Sequence, residues 1–108
     1  MPREHGEEFD KAFVGALDAL FQETGLSQSE VARRAGISQV YVSQMLAGER
    51  GVPSHEVLFR LARAFDKPLS YFSEILQRVA DVIQWYSKRE RVRANLRHRP
   101  DAQGKVIA

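Results

Sequence analysis

The chain has 108 residues, 44% of them hydrophobic, which predicts one domain with a modest core and no separate effector domain. Because it contains no cysteine, disulfides, thiolate metal sites and cysteine nucleophiles are excluded, and no apolar run suits a membrane span or a signal peptide, so we expect a cytoplasmic protein. The net charge of +2 is unevenly distributed along the chain. Residues 1–26 carry two basic and six acidic side chains (−4), whereas residues 82–108 carry seven basic and two acidic ones (+5). The basic end favours a polyanionic partner.

Apolar side chains recur at helical spacing in five segments, separated by residues that start or end helices. Glu30, three residues after Ser27, completes the sequence pattern of a capping box. The predicted helices cover residues 8–24, 28–35, 39–47, 54–66 and 71–97. Their boundaries are marked by Gly25, Ser27, Gly36, Ser38, Gly48, Pro53, Ser54, Pro68 and Ser70.

Only Gly36, Ile37 and Ser38 separate the second and third helices. Two helices joined by such a short turn with a glycine predict a helix-turn-helix, in which the second helix enters the DNA major groove. On a helical wheel the third helix has an apolar half, formed by Tyr41, Val42, Met45 and Leu46. The opposite half contains Gln39, Val40, Ser43, Gln44 and Ala47.

This side of the helix, opposite the apolar one, suits the reading of base edges. A glutamine can pair bidentately with adenine, a serine can donate or accept at several bases, and Val40 can pack on a thymine methyl group. The lysines and glutamates that are usual on a solvated helix are missing from this half. We therefore expect base contacts from Gln39, Val40, Ser43 and Gln44.

Contacts with phosphate are expected at the helix N-termini near the turn. Ser27, Gln28 and Ser38 lie where backbone N–H groups and the helix dipole favour an anion, although helix capping is the primary role expected for both serines. Tyr41, at the border of the core, can either pack or contact phosphate. Positive charge nearby comes from Arg33, Arg34 and Arg50.

The stretch from Leu26 to Phe72 resembles the lambda-repressor-like, Xre-type helix-turn-helix regulators of bacteria and phages. The matching segments are LSQSEVARRAGIS, VSQMLAGER and LARAFDKPLSYF. The resemblance implies an all-α, five-helix lambda-repressor-like domain that binds double-stranded DNA. It also implies that Gln28 braces or touches the DNA backbone and that Arg50 contacts phosphate. The candidate backbone contacts are therefore Ser27, Gln28, Arg34, Ser38, Tyr41 and Arg50. Members of this family often carry a glutamate at the position of Leu46, so whatever that glutamate does in them is absent from this chain.

The predicted C-terminal helix is about 40 Å long and has an apolar stripe that begins at Phe72. Its first part can close the core of the domain. Beyond it the stripe needs a partner, and we predict a homodimer interface with Trp85 at its rim. The interface residues are Val79, Val82, Ile83, Trp85 and Tyr86. The run SKRERVRANLRHR that follows is either a solvated helix end or an attachment to DNA beside the site.

These patterns divide the chain into a disordered N-terminus (1–7), a helix-turn-helix domain (8–72), a long C-terminal helix (73–99) and a disordered tail (100–108). Catalysis, metals and cofactors are not expected, because the three histidines lie far apart in sequence and no phosphate-binding glycine loop or GxSxG motif occurs.

The sequence as a whole predicts a nucleoid-associated transcriptional regulator that binds a pseudo-palindromic operator as a homodimer. Repression is the default, and activation through a polymerase contact remains open. Two alternatives also remain open. One is an antitoxin that grips a toxin with its C-terminal or its acidic N-terminal helix, and the other is a protein-binding adaptor that uses the Trp85 and Tyr86 end.

Overall fold

The computed structural model describes residues 6–98, with side chains as far as Arg89, and every regular element in this range is an α-helix. The five helices are α1 (Gly6–Thr24), α2 (Gln28–Ala35), α3 (Gln39–Leu46), α4 (His55–Ala64) and α5 (Tyr71–His98). The all-α, five-helix prediction is therefore confirmed. The disorder expected for residues 1–5 and 100–108 falls outside the described residues, whereas Gly6 and Glu7 belong to α1. No described helix combines the length and apolar character needed to cross a membrane.

Helices α2 and α3 are joined by a turn whose two ends are both capped. Ser38 Oγ accepts a hydrogen bond from the N–H of Tyr41 at 3.0 Å, which fixes the start of α3. Gly36 ends α2 in the left-handed conformation, with φ of 70°. The N–H of Ile37 then donates to the carbonyl of Ala32 at 3.0 Å, which closes the last turn of α2. The predicted three-residue turn is thus formed by local hydrogen bonds.

Helix α4 ends at Ala64, earlier than the predicted end near Asp66. The reason is the backbone of Asp66, which has a positive φ of 58° and so leaves the helical conformation. The N–H of Lys67 then donates to the carbonyl of Ala62 at 2.8 Å. An aspartate therefore takes the left-handed position that a glycine takes in α2. The pattern of apolar residues alone did not distinguish this turn from another turn of helix.

The core lies where α1 packs against α5 and where α2 packs against α3 and α4. Phe13 of α1 contacts Phe72 of α5, with ring centroids 5.5 Å apart, and Phe21 meets Phe65 edge to face at 5.2 Å. The largest fully buried side chains are Phe13, Leu17, Leu20, Val31, Val42, Met45, Leu58, Leu61 and Phe72. The first turn of α5 therefore closes the core, as its apolar stripe predicted.

Glu30 is the centre of a charged cluster on α2. Ser27 Oγ accepts from the N–H of Glu30 at 3.1 Å, which is the first half of the predicted capping box. The carboxylate of Glu30 instead accepts from Arg33, and from Arg34 Nε at 2.8 Å. These charge-assisted bonds, first from Arg33 and then from Arg34, lower the pKa of the Glu30 carboxyl from 4.5 to about 2.

Because folding lowers this pKa, the cluster should stabilise the protein fully above pH 4.5 and lose its effect as the pH falls toward 2. We therefore expect Glu30→Gln to lower the melting temperature at pH 6 but to match the wild type near pH 2. Thermal unfolding followed by circular dichroism measures the difference. Glu23→Gln, on the exposed side of α1, is the control and should leave the melting temperature nearly unchanged. The same pH profile for both variants would contradict this interpretation.

Candidate nucleic-acid interface

Helix α3 presents two opposite sides to its surroundings. Val42 and Met45 are fully buried in the core, while Val40 is 66% exposed. Gln39 and Ser43 are also exposed, and Gln44 is half-buried at the edge of the same side. We call the side formed by Gln39, Val40, Ser43 and Gln44 the outer face of α3. It is turned away from the core, as the helical wheel predicted.

The N-termini of α2 and α3 are the two sites where phosphate contacts were expected. Ser27 and Ser38 cap these helices through their hydroxyl oxygens, so the capping role expected of both serines is present. The hydroxyl of Ser27 also lies 3.3 Å from that of Ser29. Gln28 is half-buried as the first residue of α2. Both helix starts therefore combine ordered caps with backbone N–H groups that can meet an anion.

The chain turns back on itself after α3 and brings Arg50 beside that helix. Gly48 has a φ of 77°, and the N–H of Glu49 donates to the carbonyl of Gln44 at 3.0 Å. Arg50 Nε then donates to Gln44 Oε1 at 2.9 Å. Its guanidinium carbon lies over the ring of Tyr41, 5.1 Å from the centroid. Three residues that the sequence analysis selected separately thus form one contact group.

The loop that carries Arg50 is anchored to α1. Asp10 Oδ1 accepts a hydrogen bond from the N–H of Val52 at 3.3 Å. A Cβ atom on Gly51 would lie only 3.2 Å from Asp10 Oδ1, and Gly51 has a φ of 71°. The positive φ therefore favours a glycine here, and a larger residue would also press its Cβ against the Asp10 carboxylate. Nothing in the sequence near Arg50 identified Asp10, because the two segments are far apart along the chain.

Two arginines connect the helix-turn-helix to α4. Arg34 Nη1 donates to the carbonyl of Ala64 at 3.2 Å, in addition to its ion pair with Glu30. Arg60, which the sequence analysis did not select, places Nη1 3.5 Å from the carbonyl of Gly36 in the turn. Both side chains hold α2 and the turn against α4. A phosphate contact by Arg34 would have to use its remaining N–H groups.

Three of the five predicted dimer residues on α5, namely Val79, Val82 and Ile83, line an apolar groove beside the start of α1. The groove measures about 380 Å³, and its lining residues are Glu8, Ile75, Arg78, Val79, Val82 and Ile83. Val79 and Ile83 are half-buried, whereas Val82, Trp85 and Tyr86 are 54–57% exposed. The rings of Trp85 and Tyr86 meet edge to face at 4.9 Å. The basic side chains after Arg89 lie outside the described residues.

Comparison with known protein families gives a match to a helix-turn-helix family over residues 17–72, more than half of the chain. The matched segment begins inside α1 and ends in the first turn of α5, so it includes the outer face of α3 and the loop with Arg50. Neither the curated proteins nor the solved structures include a significantly similar chain. On the strength of the family match and of the two capped helices with their short turn, the chain belongs to the lambda-repressor-like, Xre-type family of DNA-binding helix-turn-helix regulators.

Proposed function

We propose that the protein is a transcriptional repressor that binds a specific, pseudo-palindromic DNA operator as a homodimer on the nucleoid. The observation that carries the proposal is the outer face of α3, where Val40 is 66% exposed beside uncharged hydrogen-bonding side chains. A valine that is exposed in this way loses apolar burial, which a thymine methyl group in the major groove would restore. The proposed activity is DNA binding, and repression would follow because the bound protein blocks the access of RNA polymerase to the promoter.

The base contacts in this proposal are Gln39, Val40, Ser43 and Gln44. Amides and hydroxyls are short, directional hydrogen-bonding groups, so they discriminate between base edges, whereas a long cationic side chain binds phosphate wherever it lies. Each well-placed bidentate contact contributes about 1–3 kcal/mol of discrimination between bases. The short turn holds α3 against α2, so all four side chains would enter the groove as one rigid unit.

The backbone contacts in this proposal lie on both sides of the outer face. On one side are the N-terminal N–H groups of α2 and α3, next to Ser27, Gln28 and Ser38. On the other side is Arg50, held over the ring of Tyr41. Contacts to two phosphate strands that flank the groove would set the depth and register of α3 without reading sequence.

The second copy of the chain would cover the apolar side of α5. This helix has 28 residues and is about 42 Å long, so it is longer than both helices that it packs against, α1 with 19 residues and α4 with 10. Val82, Trp85 and Tyr86 would be buried against the same residues of the partner. Two-fold symmetry would then place two α3 helices about 34 Å apart, one turn of DNA, or a multiple of that spacing.

Selection of bound sequences from a random DNA pool tests the function directly. The wild type should return two inverted half-sites, and Gln39→Ala should relax the base preference at one position in each, by about 1–3 kcal/mol. Gln22→Ala is the matched control, because Gln22 lies exposed on α1 and bonds Asp18. An equal loss of affinity for all sequences in Gln39→Ala would remove this residue from the base-reading set. If no duplex were preferred over random competitor at moderate salt, the regulator proposal would fail.

A further inference from the structure

We infer that Arg50 is a positioning residue for sequence reading: it fixes the side-chain amide of Gln44 so that this residue selects a keto base, guanine or thymine, in the major groove. The inference rests on the proposed function, since it requires that the outer face of α3 meets base edges. It goes further by assigning the class of base that one residue reads. It also gives Arg50 a role in addition to a phosphate contact.

The chemistry of the contact determines which way the amide points. Arg50 Nε donates to Gln44 Oε1 at 2.9 Å. A guanidinium has five N–H donors and no acceptor, so only the amide oxygen can face it. The amide NH₂ of Gln44 is therefore turned away from Arg50. An exposed glutamine without such a neighbour can turn its amide by half a rotation and offer either group, whereas a charge-assisted hydrogen bond favours one orientation.

Arg50 is itself held by two independent restraints. Its guanidinium lies over the ring of Tyr41, 5.1 Å from the centroid, and Tyr41 belongs to the same helix as Gln44. The loop around Arg50 is anchored on its other side, where Asp10 Oδ1 accepts from the N–H of Val52 at 3.3 Å. The donor that Gln44 meets is therefore restrained by contacts with α3 and α1, unlike the side chain of an arginine that extends freely into solvent.

The fixed amide changes which bases suit Gln44. In the major groove guanine presents two acceptors, N7 and O6, and thymine presents the acceptor O4. Adenine presents only one acceptor, N7, beside its amino donor, and cytosine presents an amino donor. The amide oxygen of Gln44 has one lone pair left for such a donor, because the other accepts from Arg50, so the amide NH₂ is the group that is free to read the base. The adenine contact expected for a free glutamine therefore applies to Gln39, while Gln44 offers a donor and prefers a keto base.

Selection from a random DNA pool by the full chain tests this, with the wild type, Gln44→Ala, Arg50→Ala and the double variant. Gln44→Ala identifies the operator position that Gln44 reads, and the wild type should prefer guanine or thymine there. In Arg50→Ala the preference for a keto base over adenine should fall about five-fold or more. The double variant should show the same base preference as Gln44→Ala alone. Arg63→Ala, which removes an exposed charge on α4, should leave this preference unchanged.

The outcomes separate this inference from the proposed function. A wild-type preference for adenine or cytosine at the Gln44 position would overturn the inference while leaving the operator intact. So would an Arg50→Ala variant that binds all sequences more weakly by one common factor with unchanged base preference, because that is the behaviour of a pure phosphate contact. If the wild type selected no sequence at all, the proposed function would fail, and this inference with it.

Discussion

Val82→Asp should convert the protein to a monomer and lower its affinity for the complete operator by about 100-fold or more, because each half-site would then bind independently. Val82 lines the groove beside α1 and is 54% exposed, so the substitution leaves the core of the protomer intact. In a dimer, however, it would bury a carboxylate on an apolar surface, where Arg78 is the one basic side chain that lines the groove. Affinity for a single half-site should stay close to that of the wild type.

Size-exclusion chromatography with light scattering at tens of micromolar gives the oligomeric state, and titration of the complete operator and of one half-site gives the affinities. Gln77→Asp is the charge-matched control, because Gln77 is exposed on the side of α5 opposite the apolar stripe and lines neither the groove nor the surface around Trp85. It should leave the dimer and the affinity unchanged. A monomeric wild type would contradict the homodimer, and a second protein that co-purifies on this surface would favour the antitoxin or adaptor alternative.

Phe13→Ala should lower the free energy of unfolding by about 3–5 kcal/mol, which is a large fraction of the stability of a domain of this size. Phe13 is 1% exposed, and its ring contacts that of Phe72 at a centroid distance of 5.5 Å. The substitution removes the contact that joins α1 to the first turn of α5 and leaves a cavity between them. The loss therefore combines the transfer free energy of the ring with that of an unfilled space.

Urea denaturation followed by circular dichroism measures this change. Phe59→Ala is the matched control, since the same ring on α4 is 39% exposed and its centroid lies 6.1 Å from that of the exposed His55 ring. Its effect should be below about 1 kcal/mol. Equal losses in the two variants would mean that burial of Phe13 is not what holds α1 to α5.

The helices and their ends could be predicted because the interactions that determine them are local. Ser38 bonds the N–H of Tyr41 three residues away, and Gly36 supplies a backbone conformation that most residues avoid. The outer face of α3 follows from the helical period in the same way. The predicted end of α4 was wrong by two residues. An aspartate such as Asp66 can adopt either a helical or a left-handed conformation, and the local sequence does not decide between them.

The contacts that assemble the interface could not be predicted from the sequence. Asp10 reaches Val52, and Arg34 reaches Ala64, across long separations along the chain, so these pairs exist only once the helices have packed. The second hydrogen bond of the predicted capping box, from the N–H of Ser27 to the Glu30 carboxylate, is missing for a different reason. The Glu30 carboxylate accepts hydrogen bonds from two arginines on the next turn, Arg33 and Arg34, in which both donor and acceptor are charged.

The first turns of α1 adjoin two surfaces that have different proposed roles. Glu8 borders the groove on α5, and Asp10, in the same turn, holds the loop that carries Arg50. A shift of this turn when two protomers pair would move the anchor of that loop and, through it, the amide of Gln44. In the proposed dimer, assembly and sequence preference would thus be coupled through this turn, and substitutions that alter pairing at this end of α1 should also change which operators are preferred.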